Sequence, residues 1–217
     1  MELNLIQQIS IWALPVLLAI TLHEAAHGYA AWKLGDDTAY RLGRVTLNPL
    51  RHIDPIGTVI LPLLMLVLSG FVFGWARPVP VVSSRLRAPR RDMIWVALAG
   101  PGANLALALF WALMMKLGHG LDASVPLISV PLVLMGQAGV VVNVLLMILN
   151  LLPIPPLDGG RVVANLLPAR PAMLYERIEP FGFVILLLLL FTGTLSWLIG
   201  PAMALVQGWM YAFAGFR

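Results

Sequence analysis

Long apolar runs separated by short polar connections dominate the chain. They cover roughly residues 5 to 34, 56 to 74, 92 to 117, 130 to 152, 180 to 198 and 200 to 214. A helix needs about 20 predominantly apolar residues to cross a bilayer, and several of these runs reach that length. The first contains Pro15, and the second is interrupted by Pro62 and Gly70. The third contains Ala99-Gly100-Pro101-Gly102-Ala103-Asn104, where glycine and proline signal a kink or a close helix contact. Gly35 follows the first run as a C-cap, and Asn48-Pro49 and Asp54-Pro55 read as turns. Arg44 to Leu47 alternates polar and apolar residues, as a short strand does. Val79 to Val82 contains Pro80 and follows Pro78, which allows an extended edge segment but no central strand.

Composition narrows the class. Of 217 residues, 60% are hydrophobic and 11% charged, about half the charged fraction of a soluble domain. No long polar segment exists from which to build a soluble domain, so residues 1–217 read as one integral-membrane domain. Its core is about 5–165 and its C-terminal helices about 174–214. The net charge of +4 fits basic loops facing anionic lipid, and the arginines are scattered between apolar spans in a way that gives no case for nucleic acid. Without cysteine there are neither disulfides nor thiolate metal ligands. The N-terminus lacks a basic region before its apolar run, so it is not expected to be a cleaved signal peptide.

One polar island interrupts the first run: Thr21-Leu22-His23-Glu24-Ala25-Ala26-His27-Gly28. Residues four apart share a helix face, so His23 and His27 can grip one metal ion, with Glu24 beside them to take a proton from water. If the helix ends at Lys33, Ala25 lies roughly 12 Å inside it. Ionisable groups at that depth are costly and mark function. A catalytic zinc usually takes three protein ligands. Of the other histidines, His52 reads as an interfacial residue and His119 falls in a loop on the far side. On spacing alone, Asp158 in Leu157-Asp158-Gly159-Gly160 reads equally as a third ligand and as a cap for a helix starting at Gly159. Asn104 and Asn150 lie in apolar helices, where an asparagine bridges helices or serves a site.

His23-Glu24-Ala25-Ala26-His27, together with Asn150 through Leu157-Asp158-Gly159-Gly160, resembles the site-2 protease family of intramembrane zinc metalloproteases. The segments Gly35 to Ala39, Asn48 to Pro55 and Gly74 to Pro80 resemble its compact bacterial subgroup, and the likeness spans most of residues 20 to 165. The resemblance implies one zinc per chain held by His23, His27 and Asp158, with Glu24 as catalytic base. It further implies that Asn150 and Asn104 hold substrate or the developing oxyanion.

The ligands constrain topology. His23 and His27 sit near the C-terminal end of the first helix, and Asp158 follows the helix at 130 to 152. Both ends must face one side, which allows one further crossing between them, at 92 to 117. The run at 56 to 74 is then re-entrant. The charges agree, because Arg41, Arg44 and Arg51 precede that run and five arginines between 77 and 91 follow it. The expected fold is an all-α polytopic membrane protein with about five to six transmembrane helices, a re-entrant segment and short β-like strands near the active site. The expected location is the cell (inner) membrane, with the site opening to the cytoplasm. The expected activity is hydrolysis of peptide bonds within or next to the transmembrane segments of membrane-protein substrates. The rivals are a non-proteolytic metal-binding transporter and an inactive scaffold. A transporter would line several helices with polar groups, and a dead relative need not keep Glu24.

Overall fold

The computed structural model describes residues 4–60, 76–121 and 125–216. Helix α1 (Leu5–Lys33) starts at a reciprocal cap, in which the Asn4 side chain accepts from the Gln7 amide and the Gln7 side chain accepts from that of Asn4. It ends at Leu34 and Gly35, whose φ of +117° only glycine adopts without strain. The short α2 (Thr38–Arg41) follows. The long α3 (Pro89–Gly120) and α4 (Pro126–Asn150) each open on a proline, where the missing amide proton costs nothing. Then come α5 (Asp158–Leu166), α6 (Ala169–Glu176), α7 (Gly182–Phe191) and α8 (Thr194–Ala214).

Helices α1, α3 and α4 form the central bundle. Their register follows from side-chain contacts. Along α1, residues 27, 23 and 19 meet α3 residues 96, 104 and 104, so the two helices run antiparallel. Along α4, Gly136 faces Met115, Gly139 faces Trp111 and Asn143 faces Asn104, so α4 also opposes α3. A β-carbon at Gly136 or Gly139 would collide with Met115 or Trp111, so these glycines set how closely the helices approach. Lipid offers no hydrophobic force to drive helices together, and membrane bundles pack through such small residues instead. The core around Trp111 adds Leu107, Ala108, Val140, Val144 and, from α8, Met210. Large apolar side chains elsewhere face outward, including Ile9, Leu109, Phe110, Leu127 and Trp197.

Three helices are long and apolar enough to cross a membrane: Ile6–Lys33, Pro89–Gly120 and Pro126–Asn150. A fourth span exists if Ala169–Phe191 and Thr194–Ala214, bent by 81°, count as one. The expected five to six therefore reduces to three or four among the described residues. The C-terminal apolar region breaks at Thr192-Gly193, where Gly193 has φ of +72°, and not near Gly200. The resulting α7 has ten residues, or about 15 Å, half the thickness of the hydrocarbon core. Most of the run expected to be re-entrant, 61 to 74, lies outside the described residues.

Among the described residues there is no strand, which corrects the expectation of β-like segments. Residues 45 to 47 are bends, and 79 to 82 are extended without a ladder partner. Carboxylates take the place of a neighbouring strand. The Val79 amide donates to Glu24 Oε2 at 2.8 Å and the Val82 amide to Asp36 Oδ2 at 2.6 Å. Asp36 is fully buried and also accepts from the Thr38 amide and hydroxyl. Burial raises its pKa, but the bonds from Thr38 and Val82, with the charge of Arg85, hold it below the usual carboxylate range. Asp36 thus ties the end of α1 to the extended segment that runs back over the site.

Candidate metal centre and active site

His23, His27 and Asp158 form a buried polar cluster in the bundle, each under a tenth exposed. Spacing of four residues puts both imidazoles on the inner face of α1. Asp158 arrives from the turn after α4. A β-carbon on Gly159 would strike the carbonyls of Leu151 and Leu152, and one on Gly160 the backbone of Ile154 and Pro155. The two glycines therefore let α5 fold back tightly on the end of α4. Asp158 is the first residue of α5, Leu157 occupies the cap position, and no side chain caps this helix. The helix N-terminus favours the ionised carboxylate.

Backbone carbonyls fix the tautomers. His27 Nδ1 lies 2.7 Å from the Val96 carbonyl, which only accepts, so the proton is on Nδ1. Asn143 Nδ2 donates to the Gly139 carbonyl, which orients that amide. Asn104 Nδ2 donates to the Ala19 carbonyl and to Asn143 Oδ1. Asn104 Oδ1 is then an acceptor, and His23 Nδ1 donates to it at 2.6 Å. Both Nε2 atoms are consequently bare lone pairs aimed inward. They stand 3.0 Å apart, and each is 3.3 Å from Asp158 Oδ2. That oxygen is buried and has no hydrogen-bond partner among the described residues.

Three converging acceptors repel unless a cation sits between them. Tetrahedral zinc with ligands at about 2.0–2.1 Å separates its donors by about 3.3 Å, close to the 3.0, 3.3 and 3.3 Å found here. Gly100 leaves room for the two rings: a β-carbon there would land on the imidazoles of His23 and His27. Two nitrogens and one carboxylate oxygen suit zinc, and the Nδ1 partners supply the orienting hydrogen bonds that metal-binding histidines need. The donor set fits the metal.

The other expected site residues fall as follows. Glu24, half-buried, lies on α1 between the two histidines in sequence, with Oε2 held by the Val79 amide. Asn104 is fully buried behind His23, with all its polar contacts committed to positioning that ring. Asn150 is the last residue of α4, and its Nδ2 donates to the Leu146 carbonyl. His52 is buried, with Nε2 against the Thr46 carbonyl, and His119 packs on Phe216. Sequence reasoning missed the Val96 carbonyl, Asn143 and the Val79 amide. Asn143 carried a detectable signal, an amide in a run of valines and leucines. The two backbone groups carried none.

A cleft of about 430 Å³ lies beside this cluster. Its lining includes Pro78 to Val81, the segment that holds Glu24, and a second group made of Pro155, Pro156, Gly160 and Arg161, at the helix that begins with Asp158. Tyr175 Oη donates to the Pro153 carbonyl, tying α6 to the second group.

A helical membrane bundle with two histidines, a carboxylate and an adjacent glutamate defines a membrane metallohydrolase. The family model described as "Peptidase family M50" matches residues 127–193. The chain is 37% identical over 188 residues to "Putative zinc metalloprotease YwhC" of Bacillus subtilis, covering 86% of this chain and 82% of that protein. It is 32% identical over 204 residues to "Putative zinc metalloprotease Rip2" of Mycobacterium tuberculosis, covering 92% of this chain and 72% of that one. It is 33% identical over 182 residues to the protein of the same name from Mycolicibacterium smegmatis, covering 83% and 66%. No solved structure is a significant match. The chain belongs to peptidase family M50, the site-2 protease family, and is a zinc-dependent metalloendopeptidase of the membrane.

Proposed function

We propose that the protein cuts peptide bonds within or next to the transmembrane segments of other membrane proteins. The observation that carries this reading is the convergence of His23 Nε2, His27 Nε2 and Asp158 Oδ2 inside the bundle, with Glu24 alongside. His23, His27 and Asp158 hold the zinc, one ion per chain. When bound, zinc polarises water and the scissile carbonyl and stabilises the charge that develops on its oxygen. Glu24 takes the proton from the attacking water and passes it to the leaving amine. The Val79 amide keeps one carboxylate oxygen in place, so the other is presented to the proton. Asn104 serves by fixing His23, through the bond to Nδ1. In this reading Asn150, the last residue of α4, contacts substrate.

A helical substrate hides its carbonyls in hydrogen bonds and must unwind before cleavage. The cleft lined by Pro78–Val81 and by Pro155, Pro156, Gly160 and Arg161 suits an extended strand of peptide. Incubation of the purified protein with a panel of single-span membrane peptides tests this. Cleavage near the end of a span, abolished by chelator and restored by zinc, is expected. Intact peptides throughout the panel, with zinc bound, would favour a non-proteolytic role.

The site opens to the cytoplasm of the cell (inner) membrane in this reading. Arg41, Arg44 and Arg51 share one side with Arg77, because the Arg77 amide donates to the His52 carbonyl at 2.9 Å. These four arginines, with Arg85, Arg87, Arg90 and Arg91, follow the positive-inside pattern. Since the chain has no cysteine, single cysteines at the exposed positions Tyr40 and Ser84 report orientation directly. Both are expected to resist an impermeant thiol reagent in intact cells and to react once the membrane is opened. Labelling of either in intact cells refutes the orientation.

A further inference from the structure

Arg44 is 8% exposed, and among the described residues it has no carboxylate within ion-pair distance. A buried guanidinium without a carboxylate is costly and needs a compensating arrangement. Here the compensation is three backbone carbonyls. Nη1 donates to Arg51, and Nη2 donates to Arg77 at 2.9 Å and to Pro78 at 3.3 Å. The Pro78 carbonyl belongs to the same peptide plane as the Val79 amide, and that amide donates to Glu24 Oε2 at 2.8 Å. One rigid peptide thus has a cation on its oxygen and a carboxylate on its nitrogen.

We propose that Arg44 is a positioning residue for the catalytic base, holding the Pro78–Val79 peptide so that its N–H is aimed at Glu24. The inference rests on the reading of Glu24 as the base. Three facts support it. The peptide group is planar, so fixing its oxygen fixes the direction of its N–H. A cation at the carbonyl polarises the peptide and strengthens the bond its amide donates. A planar guanidinium can span carbonyls from residues 51, 77 and 78 together, which a lysine ammonium cannot. Packing agrees, since a β-carbon at Gly28 would press on both Val45 and Val79 at 3.0 Å, so the residue after Arg44 and the residue after Pro78 sit on the same spot of α1. Burial lowers the Arg44 pKa, as do Arg77 and Arg51, while the charge of Glu24 opposes them, as expected for two groups joined across one peptide.

The test uses full-length enzyme in detergent, with Arg44→Lys and Arg44→Gln. Hydrogen exchange of fragments covering 76–82, followed by mass spectrometry, reads the Val79 amide without any substrate. Exchange at that amide is expected to rise about tenfold or more in both variants and in Glu24→Ala. With a peptide cleaved by the wild type, kcat of Arg44→Lys is expected to fall about 10- to 100-fold with KM unchanged, since misplacing a catalytic group by about 1 Å costs about that much. Zinc should remain at one per chain. Unchanged Val79 protection overturns the proposal, and so does lost protection with full kcat. Loss of zinc or of the fold in both variants assigns Arg44 a purely structural role and also overturns it. If the wild type cleaves nothing, the proteolytic reading fails while the exchange experiment still decides whether Arg44 and Glu24 are linked.

Discussion

Replacing Glu24 with alanine is expected to leave one zinc per chain and to reduce cleavage by about 10²- to 10⁴-fold, the scale of a lost general base. Zinc stays because Glu24 contributes none of the converging atoms, which come from His23, His27 and Asp158. Neither histidine depends on it for orientation, since His23 bonds Asn104 and His27 bonds Val96. The structural cost is confined to the Val79 amide, which loses its acceptor at a largely buried position, worth about 1–3 kcal/mol. The separation of effects is what makes the variant informative: metal content and folding stay near wild type while turnover collapses. Zinc analysis beside a cleavage assay measures both. Full turnover in Glu24→Ala would place the base elsewhere; loss of zinc would mean that the carboxylate supports the metal.

The chemistry was legible in the sequence because its cost was. Ionisable groups inside an apolar helix are rare, and spacing of four puts His23 and His27 on one face whatever the rest of the fold. Asp158 was legible only by its flanks and by family resemblance, because a carboxylate after a helix serves a cap as readily as a metal. The geometry fits the ligand role, since Leu157 takes the cap position and Asp158 Oδ2 lies 3.3 Å from the Nε2 atoms of both histidines. What stayed hidden was carried by the backbone. The Val96 carbonyl that sets the His27 tautomer lies 69 residues away in sequence, and the Val79 amide that holds Glu24 lies 55 away. Neither has a side-chain signature. The expected strands failed for a related reason. Arg44, read as the polar member of an alternating pair, turns inward to gather carbonyls. The amides of Val79 and Val82 bond to carboxylates that no alternation pattern announces. The C-terminal region reads as two apolar runs, 180 to 198 and 200 to 214, yet the boundary between them lies within α8, as does Pro201. Membrane helices tolerate proline there, and the break falls at Gly193, where the chain takes a left-handed conformation.

Gly100→Ala is expected to lower zinc affinity more than about 100-fold, with cleavage lost in parallel. Removing a hydrogen-bond partner behind a ligand costs about 10- to 100-fold, and a methyl group at Gly100 acts on the ligands themselves. It would overlap Nε2 of His27 and Cε1 of His23. The rings cannot retreat cheaply. His27 is anchored to Val96, four residues before Gly100 on the same helix, and His23 to Asn104, four residues after it. Moving either ring breaks a buried hydrogen bond, and moving α3 away from α1 opens the packing that Asn104 spans to Ala19. Gly102→Ala is the matched control. It lies on the same helix, faces outward and has nothing within 4 Å of a new β-carbon, so helix propensity makes it neutral or stabilising by up to about 1 kcal/mol. The comparison therefore isolates the space in front of the histidines from any general effect of alanine in α3. Competition with a chelator of known affinity gives the zinc dissociation constants, and the Gly102→Ala value should match the wild type. A Gly100→Ala enzyme that still binds one zinc as tightly would mean that the metal is not held between His23, His27 and Asp158 as they are packed here.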